Sequence, residues 1–174
     1  TAAAEDYRGA LRAAPTYVPA YVSLGQLHFE EGRFAEAATA LRRALDLDRD
    51  GPFGRDAELW NRLGYALSRQ GRISDGVEAY RRALEFNPKN AGALANLAMA
   101  RLERGEVPDA VAAYERALAL APTLADLRSN LLLALNYSAE FSPKDIFRGH
   151  RAWNERHGKS AQLSSSTRTA GDER

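Results

Sequence analysis

The sequence predicts an all-α protein, a right-handed superhelical solenoid of antiparallel helix pairs, on three observations. First, a skeleton of large and small residues recurs: Trp60, Leu63-Gly64, Leu67, Gly76, Tyr80, Ala83 and Pro88 return 34 positions later as Leu94, Leu97-Ala98, Arg101, Ala110, Tyr114, Ala117 and Pro122. Second, within each unit the apolar residues fall in two runs at helical spacing, not at the alternation of a strand. Third, Gly32, Gly71 and Gly105 share one position between those runs. There a first helix ends, and glycine takes the left-handed conformation that a C-cap wants.

Carried backwards, the frame needs 39 residues to land on Tyr21, Leu24-Gly25, His28, Ala37, Leu41 and Ala44, and a further 34 to reach Ala3, Tyr7, Ala10 and Pro15. The W-x-x-L-G-x-x-Y, A-x-x-x-F, P skeleton resembles the tetratricopeptide repeat. The resemblance implies a scaffold for protein–protein interaction. It divides the chain into the second helix of a truncated repeat (1–17), a first repeat (18–51), an inserted loop (52–56), a second repeat (57–90), a third (91–124), terminal capping helices (125–158) and a flexible tail (159–174).

Each element has a local reason. Residues 2–14 carry Ala3, Tyr7, Ala10, Leu11 and Ala14 on one helical face until Pro15 stops them. A second helix without its first exposes an apolar stripe, so this face is expected to support self-association. The first repeat places a helix near 19–31 and another near 35–48. The small pairs Gly25 with Ala37, Gly64 with Gly76 and Ala98 with Ala110 should mark the closest approach of the two helices in each repeat. Leu41, Tyr80 and Tyr114 should fill the wider end, and Ala44, Ala83 and Ala117 should face the next repeat.

Between the first two repeats stands Gly51-Pro52-Phe53-Gly54-Arg55, with Asp56 as N-cap of the following helix. Loop closure costs grow slowly with length, so the insertion need not disturb stacking, and Phe53 is a candidate presented contact. After Pro122, residues 124–137 read as a terminal first helix. Ser142-Pro143-Lys144-Asp145 is a helix start, followed by Ile146, Phe147, His150 and Trp153 on one face up to Gly158. That helix is expected to dock Phe147 and Trp153 on the last repeat as a cap. The Ser-, Thr- and charge-rich stretch beyond Lys159 is expected to be mobile.

Composition narrows function mainly by exclusion. With 24 Lys and Arg against 23 Asp and Glu the net charge is +1, which recommends neither nucleic acid nor an anionic membrane as partner. There is no Cys, hence no disulfide and no thiolate chemistry. No apolar run approaches the roughly 18 residues of a membrane span, so we expect a soluble, cytoplasmic protein. The chain opens at Thr1 inside a helix pattern and reads as part of something longer.

Nucleophile-base pairs, metal clusters and phosphate loops are all incomplete, so no catalytic residue, metal or cofactor is assigned. The glycines punctuate repeats. His28 sits at the aromatic position of a first helix and reads as a packing residue. His150 and His157 lie near one helix face without a third ligand. Glu30-Glu31, Arg42-Arg43 and Arg81-Arg82 read as solvated faces.

One segment adds specificity: Ser129-Asn130-Leu131-Leu132-Leu133-Ala134-Leu135-Asn136-Tyr137, then Ser142-Pro143, Ile146-Phe147, His150-Arg151, Trp153 and Glu155-Arg156-His157. It resembles the junction in bacterial O-GlcNAc transferase-like (SPINDLY-related) proteins, where the repeats run into a nucleotide-sugar-dependent glycosyltransferase. The resemblance implies that the repeats select an acceptor protein and that His150 packs in the junction helix or borders an active site. This chain alone is expected to transfer no sugar.

If the chain binds a polypeptide, the groove is expected to be lined by first-helix positions not needed for packing: Ser23, Gln26, Asn61, Arg62, Tyr65, Arg69, Asn96, Met99, Asn130 and Leu133. Asn96 and Asn130 share one repeat position, where an amide can donate to and accept from a peptide backbone. In the O-GlcNAc transferase-like family a ladder of asparagines is similar, with Ser23 and Arg62 standing here at the earlier rungs. The opposing reading is a stand-alone adaptor that assembles a complex. A chaperone-tail version of it would need a cage of cations and amides. Val22, Gln26, Arg62, Gly92 and Asn96 occupy those places, and only Arg62 is a cation.

Overall fold

The computed structural model describes residues 2–123 and 125–137, together with positions 142, 144, 147, 148 and 151. Among the described residues there are eight named helices and no strand: α1 (Ala2–Ala13), α2 (Val18–Glu30), α3 (Phe34–Leu47), α4 (Ala57–Ser68), α5 (Ile73–Phe86), α6 (Ala91–Glu103), α7 (Val107–Leu120) and α8 (Ala125–Asn136). Helices α2 and α3, α4 and α5, and α6 and α7 form antiparallel pairs, each packed on the next, with α1 and α8 at the two ends. This is the right-handed solenoid that the recurrence predicts. No described helix is long and apolar enough to cross a membrane.

Local chemistry sets the helix ends. Asp56 Oδ1 accepts from the backbone N–H groups of Glu58 at 2.8 Å and Leu59 at 3.2 Å, capping α4. Asn90 Oδ1 does the same for α6, accepting from Ala93 N at 2.9 Å. Gly32, Gly71 and Gly105 have φ of 73°, 76° and 76°. Behind each, the next backbone N–H reaches five residues back: Arg33 to His28, Arg72 to Leu67 and Glu106 to Arg101, at 2.8–3.0 Å. These are Schellman closures, in which glycine avoids the Cβ penalty of a left-handed residue.

Size governs the contact inside each pair. A Cβ on Gly64 would lie 2.6 Å from the Tyr80 ring and 3.1 Å from the Gly76 carbonyl oxygen; one on Gly76 would meet the Ser68 hydroxyl and, at 3.0 Å, the Gly64 carbonyl. The α4 and α5 backbones therefore approach with no room for a methyl group. Gly25 is closed instead by Leu41, whose side chain would lie 2.8 Å from an added Cβ. Ala37, Ala98 and Ala110 are fully buried, as are Leu41 and Tyr114, and Tyr80 is 1% exposed. Ala117 packs with Leu94 and with Leu127 of α8, facing the following helix as expected.

Three expectations are corrected. On α1 the buried residue is Ala4, which packs on Leu24 and Ala40 with Tyr7 and Leu11 alongside; Ala3 is exposed. Ala3 is the repeat counterpart of Ala37, which is sealed by the first helix of its own pair, and no described helix lies on that side of α1. Ala14 falls beyond the end of α1 and is also exposed.

The insertion is not a presented contact. Phe53 is partly buried against the cluster of Leu45, Leu59 and Leu63. The loop is tied at several points: Phe53 N donates to Asp48 Oδ2 at 2.8 Å, Gly54 N to the Asp48 carbonyl at 3.1 Å, and Trp60 Nε1 to the Gly54 carbonyl at 2.8 Å. The five extra residues thus extend the core sideways.

Phe147 does not dock: it is 67% exposed. Leu131 and Leu135 of α8 pack on the cluster that holds Val111 and Tyr114. Trp153, His150, His157, the remainder of the 143–158 helix and the 159–174 tail lie outside the described residues.

Candidate functional site

Helices α2, α4, α6 and α8 supply the concave side of the stack. Their inward faces are spent on packing, so the side chains one third of a turn away are left to line a groove. Tyr65, Arg69, Asn96, Met99 and Asn130 meet around one cleft of about 340 Å³, together with Ser68, Tyr80, Ala95, Ala100 and Glu103. Five of the ten groove residues expected from sequence are thus brought together. Asn61 adjoins them through a hydrogen bond from Asn96 Nδ2 to Asn61 Oδ1 at 2.9 Å. Leu133 is 45% exposed on α8. Ser23 and Gln26 lie on α2, partly buried, away from this cleft. Arg62 is turned along its own helix, its Nε donating to Glu58 Oε1 at 3.1 Å.

The amide contact joins neighbouring helices at a spacing of 35 residues, one more than the repeat. The residue facing Asn96 is therefore Asn61, not Arg62 at the equivalent position. A strict period could not reveal this. Two amides that bond each other across helices stiffen the groove floor and leave other donors and acceptors for a ligand.

A second feature was missed in the sequence. Phe29, Phe34 and Tyr65 form a ring cluster with centroids 5.4–5.8 Å apart, edge-on or tilted, joining the first pair to α4. The Arg69 guanidinium lies 5.2 Å from the Phe34 centroid and 5.9 Å from that of Tyr65, and its Nη1 donates to the Tyr65 hydroxyl at 3.3 Å. Gln70 Nε2 donates to the carbonyls of Phe34 and Ala66 at 3.0 and 2.8 Å, fixing the same corner. Phe29 is three residues before Gly32, and Phe34 opens α3; the spacing of two aromatics around a C-cap glycine was the signal available.

The tyrosines under the cleft stay protonated near neutral pH. Burial pushes the Tyr80 and Tyr114 hydroxyls up to about 12, with Glu103 adding to both. Tyr80 shares a hydrogen bond of 3.4 Å with Ser68 Oγ, and Tyr114 donates to Met99 Sδ at 3.9 Å, which anchors Met99 from below.

His28 is 3% exposed, as a packing residue should be. Its Nδ1 lies 3.8 Å from Glu31 Oε2 and makes no hydrogen bond. Burial first, and then the charge of Arg33, hold its pKa below the ordinary imidazole value. Another surface cleft, about 790 Å³, borders His28 and is lined by Arg8, Arg42, Arg43 and Arg72 among others; it contains none of the groove residues. Among the described residues no three of His, Asp and Glu converge as metal ligands would.

The arrangement is an open polar and apolar groove with fixed amides and a stacked cation. The tetratricopeptide repeat family profile matches residues 1–52 and 61–125, breaking across the end of the insertion and the start of α4. Human protein O-mannosyl-transferase TMTC3 is 33% identical over 98 residues, covering 56% of this chain and 10% of that protein. The peroxisomal targeting signal receptor of Kluyveromyces lactis is 30% identical over 81 residues, covering 47% of this chain and 13% of the receptor. The chain therefore matches only about a tenth of the length of these relatives. The solved structure of MamA superposes with a TM-score of 0.80 at 23% identity over 91% of this chain and 89% of that one, a likeness of fold. With both profile matches together spanning more than half of its residues, the chain belongs to the tetratricopeptide repeat family and is a protein-interaction scaffold.

Proposed function

We propose that this scaffold holds an extended polypeptide in the concave groove, through Tyr65, Arg69, Asn96, Met99 and Asn130 at its centre and Ser23, Gln26, Asn61, Arg62 and Leu133 along its flanks. The observation that carries the reading is one cleft that brings together side chains of three first helices, with the amides of Asn96 and Asn130 on its wall. An amide-lined groove binds backbone, which every peptide has, and takes its selectivity from the flanking groups. The peroxisomal relatives are receptors of a targeting signal by name, which favours a peptide as the ligand class.

To test it, peptides are selected on the chain from a displayed dodecapeptide library, and the affinity of the best is measured by fluorescence anisotropy. Asn96→Ala combined with Asn130→Ala should weaken binding by about ten-fold or more, as expected for loss of two or more net hydrogen bonds. Undiminished affinity in a double variant that melts like wild type would remove the groove from consideration.

Two settings fit such a module. In the first, the chain is the acceptor-recognition region of a nucleotide-sugar-dependent protein glycosyltransferase. The resemblance of residues 129–157 supports it, as does a relative named as an O-mannosyl-transferase. In the second, favoured by the receptor relatives, it is a stand-alone adaptor. The full-length gene product incubated with labelled UDP- and GDP-sugars should glycosylate a bound protein in the first setting and none in the second. Repeat boundaries at 18–51, 57–90 and 91–124 and a cytoplasmic setting belong to this proposal. Any self-association is placed at the open side of α1. Sedimentation of Ala3→Arg against wild type tests that point.

A further inference from the structure

We propose that the cleft between α4, α6 and α8 selects an extended peptide segment in which an acidic side chain stands about three residues from an apolar one, Arg69 taking the carboxylate and Met99 the apolar group. This rests on the groove being the binding surface and adds what the groove reads.

The first observation is the state of Arg69. Most arginines near the helix-pair turns have an acid: Arg33 pairs with Glu31, Arg72 with Asp75, Arg101 with Asp109 and Arg104 with Glu106. Arg62 on the same helix pairs with Glu58. Arg69 has rings in place of a carboxylate: Phe34 on one side, Tyr65 on another, and one hydrogen bond to the Tyr65 hydroxyl. These contacts restrict the guanidinium before any ligand arrives. One of its five N–H donors is used, and the free ones form the fork that a carboxylate matches. A cation ordered in advance loses less entropy on pairing than a free one does.

The second observation is the other end of the cleft. Met99 is 37% exposed, its sulfur held by the Tyr114 hydroxyl, and Leu133 occupies the same repeat position on α8, 45% exposed. Both leave apolar surface exposed. Glu103 borders the same cleft as Met99. A carboxylate is therefore attracted at the Arg69 end and repelled at the Glu103 end, which sets the orientation of the ligand. Packed helices lie about 8–10 Å apart and an extended chain advances about 3.3 Å per residue, so the two side chains belong about three positions apart.

The probes are fluorescein-labelled dodecapeptides with a glycine-serine background, carrying aspartate and leucine three positions apart, or asparagine with leucine, or aspartate with serine. The wild-type chain should bind the aspartate-leucine probe about ten times more tightly than the asparagine-leucine probe, with the margin shrinking as salt rises. Arg69→Gln should erase that margin, so that the variant binds the aspartate-leucine and asparagine-leucine probes equally. Arg69→Lys, with charge but no planar fork, should retain part of the margin. Equal affinity of the aspartate and asparagine probes for wild type, or a margin that survives Arg69→Gln, would overturn the acid reading and leave the groove standing. Absence of binding by every probe would overturn it too, and the display selection then decides separately whether the groove binds peptide at all.

Discussion

On one side of α4, Leu59, Leu63, Gly64 and Leu67 are buried against α3 and α5; on the other, Asn61, Arg62, Tyr65 and Arg69 stay partly or wholly open to the groove. The inner face is fitted to fractions of an ångström, since a single methyl on Gly64 has no place to go. The groove face is fitted by partnering: Asn61 to Asn96, Arg69 to two rings, Arg62 to Glu58. Substitutions on the first face should therefore cost stability, and substitutions on the second should cost binding with little change in stability. The same division holds on α6, where Ala98 is sealed while Met99 next to it is exposed.

The largest expected effect lies on the inner face. Tyr80 fills the wide end of its pair at 1% exposure, and Tyr80→Ala should cost about 3–5 kcal/mol, read as a lowered midpoint in urea. A loss below about 1 kcal/mol would mean that the pair does not depend on that ring. Ala110→Leu inserts three carbons at a fully buried contact and should cost about 1–3 kcal/mol. A thermal melt unchanged by it would break the register on which the division of faces rests. Smaller again is Gly71→Ala. An added Cβ there meets nothing within 4 Å, so its effect isolates the left-handed backbone at φ 76°, at about 1 kcal/mol.

These positions also show what could be read in advance. The C-cap glycines, the Gly64 and Gly76 contact and the Asp56 cap were legible because each depends on residues inside one repeat, where spacing determines geometry. The Asn61 to Asn96 bond and the Phe29, Phe34, Tyr65 and Arg69 cluster were not, because they depend on the rotation between successive repeats. That rotation offsets partners from the strict 34-residue period. Phe53 could not be placed from the sequence for a related reason. The insertion interrupts the period, and nothing in its composition says whether it folds outward or back on Leu59. At α1 the pattern marked the right helix and two wrong residues: Ala14 lies past the helix end, and Ala3 and Ala4 are distinguished only by which neighbouring helix is present.

His28 sharpens the comparison by testing the inner face with a proton. Its folded-state pKa is depressed below the ordinary 6.5, so the unfolded chain takes up the proton first. Stability should be level above neutrality, start to fall as the pH drops through about 6.5, and stop falling once the folded pKa is passed. Urea midpoints between pH 8 and pH 5 follow this, and His28→Phe should remove its share of the slope. An identical slope in that variant would assign the acid sensitivity elsewhere.

Met99 is the only methionine of the chain, so a methyl-labelled sample carries one reporter, set in the groove and anchored by Tyr114. Titrating it with a selected peptide gives the most direct view of whether the open face is the binding face. The Met99 methyl resonance should move in step with saturation measured by anisotropy, while the thermal melt of the chain carrying Asn96→Ala and Asn130→Ala stays at the wild-type midpoint. A methyl resonance that does not move while the peptide binds would contradict the account, because binding would then occur on another surface.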